Sequence, residues 1–154
     1  MAEDWALFIH LLGAFAFVGG ALVATAAFEA ARRRSRPAEI ATLLGLAGVG
    51  AGLLGLGATV AVPFGLWLVH LEDVGYGAGW IDAAIGLLVV AGVLGGVGGQ
   101  RPKRARLLAE RLARDGVDDS AELRALLDDR VALALNYASG LAVVAIVALM
   151  VFKP

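Results

Sequence analysis

His10 and His70 are the only histidines among 154 residues, and both fall inside long apolar runs. A neutral imidazole held in lipid is a strong nitrogen donor, and ionisable side chains within membrane segments mark functional sites. His10 lies about one and a half helical turns inside the start of the first run, and His70 lies at the end of the second. Consecutive spans run in opposite directions, so the two imidazoles are expected at similar depth in one half of the bilayer. Two inward imidazoles at one depth have the chemistry of axial ligands to a haem iron, given an apolar cage and an acceptor for each far ring nitrogen. Asp82, just inside the third run, is a candidate acceptor. His10, His70 and Asp82 together are also a candidate open copper or zinc site, with Met150 near the same end. Copper ranks below haem because sulfur is scarce. The chain has no cysteine, and its only methionines are Met1 and Met150. A closed zinc site needs four protein ligands, and two histidines do not supply them.

The helical phase of small residues supports an enclosed ligand. His10, Gly13, Phe17, Gly20 and Ala24 share one face of the first helix. Gly48, Gly52, Gly55, Thr59, Pro63 and His70 share one face of the second. Both faces are expected to point inward and to leave room for a flat ligand, with Gly13 beside it. Pro63 removes a backbone donor below His70 and kinks its helix. The wider set of 21 glycines contains small-xxx-small pairs such as Gly48/Gly52, Gly92/Gly96 and Gly95/Gly99, which suit close helix packing in lipid.

The elements that must position these residues follow from composition. Apolar residues make up 60% of the chain and charged ones 18%, a balance no soluble domain of this length sustains. Four runs, about 5–31, 48–71, 80–99 and 131–152, are each long enough for a helix to cross the roughly 30 Å hydrocarbon core. None alternates in polarity as a barrel strand does. The expected fold is an all-α membrane protein, a single domain over residues 1–154 built as a bundle of four transmembrane helices. The bilayer is its solvent.

Charge sets the expected orientation. Of the 13 Lys and Arg, all but Lys153 fall between the first and second runs or between the third and fourth. By the positive-inside rule those two connections are cytoplasmic and both termini face outward. Trp5, Trp67 and Trp80 then form an aromatic belt at the outer interface. The acidic start, Met1-Ala2-Glu3-Asp4, precedes the first run and the arginines follow it, the reverse of a cleaved signal. The first helix therefore reads as an uncleaved anchor in the cell (plasma) membrane of a bacterium. Segment 100–130 is the sizeable polar region. Arg101–Arg114 predicts a basic amphipathic helix, and Asp119-Ser120-Ala121-Glu122 has the spacing of a capping box that starts a second helix running toward the fourth span. This hairpin is expected to rest with its arginines near headgroups. Asn136 and Tyr137 are expected to hydrogen-bond across helices, and Glu29 to reach water. A net charge of -1 gives no reason to expect nucleic acid. No phosphate loop, nucleophile elbow or carboxylate pair is present, and whether the chain is an enzyme stays open.

Trp5-x-x-Phe8-Ile9-His10-Leu11-Leu12-Gly13-Ala14 through Val18-Gly19-Gly20 resembles the opening helix of the copper-resistance protein D-like superfamily. Gly65-Leu66-Trp67-Leu68, Gly75-Tyr76 followed by Trp80, and Leu149-Met150-Val151-Phe152-Lys153-Pro154 resemble a small bacterial branch of predicted integral membrane proteins of unknown function. The resemblance implies a four-helix unit with His10 as its functional position. Distant relatives are haem-binding oxidases of protoporphyrinogen that use a first-helix histidine with a lysine partner. No lysine lies within a span here, which leaves His70 as the second ligand. Three functions follow: a small haem b protein for electron transfer or haem handling, with a redox partner; a small metal or solute transporter or channel, acting as a homo-oligomer; or a structural membrane subunit without chemistry.

Overall fold

The first helix, α1 (Ala2–Arg32), extends over 31 residues, about 46 Å, and α2 (Pro37–Leu71) over 35, about 52 Å. Both overshoot the hydrocarbon thickness, so each carries a polar overhang. Proline at the first position of α2 costs no hydrogen bond, because that N–H has no intrahelical partner. These helices come from a computed structural model that describes residues 1–71 and 79–153; Gly75-Tyr76 and Pro154 of the resemblance lie outside the described residues. The remaining elements are α3 (Gly79–Gly98), α4 (Gln100–Arg114), α5 (Ala121–Leu127) and α6 (Arg130–Phe152). Four helical stretches are long and apolar enough to cross a membrane.

The spans associate as two pairs, α1 with α2 and α3 with α6. At the end that holds the short connections 33–36 and 115–120, α4 and α5 close over the α1–α2 pair. Their small core consists of Phe28, Ala31, Ile40, Leu44, Ala105, Ala109, Leu123 and Leu127. Ile40 and Leu127 are fully buried there, and each such side chain contributes about 1.5–3 kcal/mol. Arg124 of α5 donates to the carbonyls of Arg32 (2.7 Å) and Arg34 (2.5 Å), closing off acceptors left free at the end of α1.

One local expectation shifts by a residue. Ser120, not Asp119, caps α5: its hydroxyl accepts from the Leu123 N–H at 3.3 Å, while Asp119 Oδ1 accepts from Ser120 N–H at 2.8 Å. The second helix expected before the fourth span is present as α5, which ends at Leu127. The chain breaks at Asp128–Asp129, and Asp129 caps α6 anew by accepting from the Ala132 N–H at 2.8 Å.

The opposite end collects the aromatics. Trp5 packs edge-on to Phe8, Phe64 lies 5.9 Å from Trp67, and Lys153 Nζ sits 5.6 Å from the Trp80 ring. All three tryptophans lie at this one end, as an interfacial belt requires.

Candidate functional site

The α1–α2 contact is made by backbones. A methyl group on Gly13 would come within 2.6 Å of the Ala61 nitrogen, one on Gly20 within 2.6 Å of the Gly50 carbonyl oxygen, and one on Gly57 within 2.6 Å of the Gly13 carbonyl oxygen. The α1 stripe Gly13–Phe17–Gly20–Ala24 meets the α2 stripe Gly50–Leu54–Gly57–Ala61. Small residues permit this approach and dispersion holds it.

His10 continues the α1 stripe by one more turn toward the aromatic end. Its Nδ1 lies 2.8 Å from the Ala61 carbonyl oxygen. A carbonyl only accepts, so Nδ1 carries the proton; with the ring neutral, Nε2 holds the free lone pair. The ring also fills the notch at Gly65, where a Cβ would stand 2.9 Å from both Cε1 and Nδ1. The ring is therefore fixed in tautomer and in orientation while remaining half-exposed. A histidine whose far nitrogen is tied to a backbone carbonyl is oriented as metal-ligating histidines are.

His70 does not join it. Ala61 and His70 are nine residues apart, which at 100° per residue places them on opposite sides of α2 and about 13 Å apart along its axis. His70 is exposed. The expected inward face Gly48–Gly52–Gly55–Thr59 is likewise not the face that meets α1. Gly52 and Gly55 touch nothing, and Gly48 meets only the Arg106 guanidinium. Glycines occur on both sides of α2, and the face set two residues away, Gly50 and Gly57, makes the contact. Gly13, expected beside a flat ligand, is buried against Ala61. Asp82 lies exposed in the first turn of α3. Among the described residues no group of three His, Asp or Glu is arranged to hold a metal.

A macrocycle has no place between α1 and α2, whose backbones touch. The fit to haem is thus one nitrogen donor, Nε2 of the half-exposed His10.

A second polar cluster lies at the basic end. Tyr137 of α6 donates to Glu29 Oε1 at 2.6 Å, and Arg32 Nη1 donates to both Glu29 oxygens at 3.2 Å. Arg32 also reaches Asp128 Oδ1 at 3.1 Å. The cross-helix bond expected of Tyr137 is present, but its partner was not legible, because nothing in the sequence says that α6 begins beside the end of α1. Asn136 sits over Gly98, where a Cβ would meet its Oδ1 at 2.5 Å. Ser139 donates to the Ala91 carbonyl at 2.9 Å, and Thr59 to Gly55 at 2.9 Å. The Thr59 and Ser139 hydroxyls are thus spent on backbone carbonyls.

The glycine-paired helices and the histidine at their aromatic end define a class, the small multi-pass helical membrane proteins. The chain matches, over residues 5–154, the family described as predicted integral membrane protein (DUF2269), and it belongs to that family. No curated protein and no solved structure matches it.

Proposed function

We propose that the protein binds haem b through His10 Nε2 on the open flank of the α1–α2 pair, and serves in electron transfer or haem handling. The observation that carries this reading is the 2.8 Å tether of Nδ1 to the Ala61 carbonyl, which fixes the orientation of the ring and leaves Nε2 outside that bond. When bound, the iron would supply one-electron chemistry, with its potential set by axial ligation and burial. This chain's contribution is to orient His10 and to hold it at the aromatic end of the span. The likeness of Trp5–Gly20 to the opening helix of the copper-resistance protein D-like superfamily belongs to the same proposal, as does an orientation with both termini outside. His70, on the far side of α2, is not the partner ligand in this reading. The test is an absorption spectrum of detergent-purified protein from cells supplied with haem precursor, oxidised and then reduced. A Soret band lost in His10→Ala and kept in His70→Ala is expected. A featureless visible spectrum, with added haem also failing to bind, would end the proposal.

A second reading has its own support in the notch at Gly65, which the His10 ring fills. There His10 is a latch between α1 and α2, and the protein is a structural subunit without chemistry. His10→Gln separates the two, because a side-chain amide can still donate to Ala61 but is a poor iron ligand. Retained stability with no haem in either protein favours the latch.

A further inference from the structure

Helix α4 carries six basic residues and one acid. Its Ala105 and Ala109 are fully buried in the core beneath it. Two of its cations are paired, Arg106 with Glu110 at 2.7 Å and Arg101 with Asp129 at 3.6 Å. Lys103, Arg104, Arg111 and Arg114 have no ion-pair partner among the described residues. Arg104, Leu107, Leu108 and Arg111 line a shallow groove of about 210 Å³, and Leu107 is 59% exposed between the two arginines. A large apolar side chain held out between two unpaired guanidiniums suits neither bulk water nor a dry protein core.

The height of this face above the bilayer centre follows from α2. The Arg106 guanidinium lies 3.3 Å from where a Gly48 Cβ would stand. Gly48 is about 35 Å of helix from Leu71, whereas the hydrocarbon core is roughly 30 Å thick. With the aromatic end of α2 at one interface, Gly48 and the middle of α4 are at the other, among headgroups.

We propose that the Arg104–Leu107–Arg111 face of α4 is a binding surface for anionic phospholipid in the membrane the helices cross. The guanidiniums pair with lipid phosphates, which accept from arginine in forked geometry. Leu107 enters the boundary between glycerol and acyl chains, as apolar residues of interfacial helices do. The opposite face of α4 is already committed to α2 and α5, so lipid contact needs no rearrangement of the core. The inference is independent of haem.

The chain has no cysteine, so Leu107→Cys can carry a single polarity-sensitive fluorophore. The labelled protein is reconstituted in vesicles of phosphatidylcholine alone and of phosphatidylcholine mixed with phosphatidylglycerol. A blue shift in the anionic vesicles is expected. It should reverse in about 1 M salt, where the screening length falls to about 3 Å, and disappear when Arg104→Gln and Arg111→Gln are added. A label equally wet in both vesicles overturns the proposal, leaving a solvated face. So does a label equally dry in both, which means that protein covers it. A shift that survives both arginine replacements and high salt also overturns it. The salt titration uses the protein with its arginines intact, so it stands even if the double replacement impairs folding.

Discussion

The two helix pairs solve the same problem in different ways. In α1–α2, the main chains touch at Gly13, Gly20, Gly50 and Gly57, and no side chain intervenes that could give way. In α3–α6, contact is made by side chains on backbone: Ser139 bonded to Ala91, and Asn136 seated over Gly98. Lipid offers no hydrophobic drive to bring helices together, so each pair must gain from close packing or from polar bonds that lipid cannot replace. The first solution gives a rigid frame on which a single histidine can be held to one orientation. The second is tolerant, because a side chain can turn aside where a backbone cannot.

Gly57→Ala tests the rigid pair most severely. The new methyl group would be driven into the Phe17 backbone and to 2.6 Å from the Gly13 carbonyl oxygen. Neither can move without parting the helices. A loss of about 3 kcal/mol is expected from such overpacking, read as unfolding in mixed micelles followed by tryptophan fluorescence. Gly55→Ala, on the open face of the same helix, should show none of this loss. Equal effects at the two positions would mean that α1 docks on another face of α2.

Gly65→Ala sharpens the comparison at the histidine. Its Cβ would stand 2.9 Å from two ring atoms of His10, so the ring must swing away and give up the Ala61 carbonyl. The expected cost is about 1–1.5 kcal/mol, that of one hydrogen bond. If His10 holds haem, the Soret band should shift or bleach even though position 65 supplies no ligand. An unchanged spectrum together with lowered stability would favour the latch.

What the sequence made legible divides along the same lines. Four spans were readable because roughly 20-residue apolar runs have few other fates. The α1 face His10–Gly13–Phe17–Gly20–Ala24 was readable because that helix is bulky elsewhere, at Phe8, Leu11, Phe15 and Leu22. The α2 face was not. Its glycines form two stripes, Gly48–Gly52–Gly55 and Gly50–Gly57–Gly65, and a helix apolar all round has no polar side to break the tie. The Gly48–Gly52–Gly55 stripe would bring His70 beside His10, whereas it lies on the far side of α2. The arrangement in pairs was also hidden. It depends on which surfaces meet, and a polar bridge between the pairs, Tyr137 to Glu29, joins residues 108 positions apart.

Ser139→Ala probes the tolerant pair. Removing a hydroxyl that donates to Ala91 leaves a helical carbonyl that keeps its own ladder bond. A loss of about 0.6 kcal/mol is expected, the average for interhelical bonds in lipid. A loss as large as that of Gly57→Ala would show that α3–α6 depends on this bond as α1–α2 depends on its glycines.

The smallest effect should carry the opposite sign. A Cβ at Gly96 of α3 would meet nothing within 4 Å, and the position is exposed. In the tight pair a methyl group forces backbones apart. Here it only removes conformational freedom from the unfolded chain, so Gly96→Ala should stabilise by about 0.5 kcal/mol. The same unfolding assay in mixed micelles reads it. A clear loss at Gly96 instead would mean that this face is covered in the membrane by a second copy of the chain. The monomer's open flank would then be a contact, and the tolerance of α3–α6 would end where that copy begins.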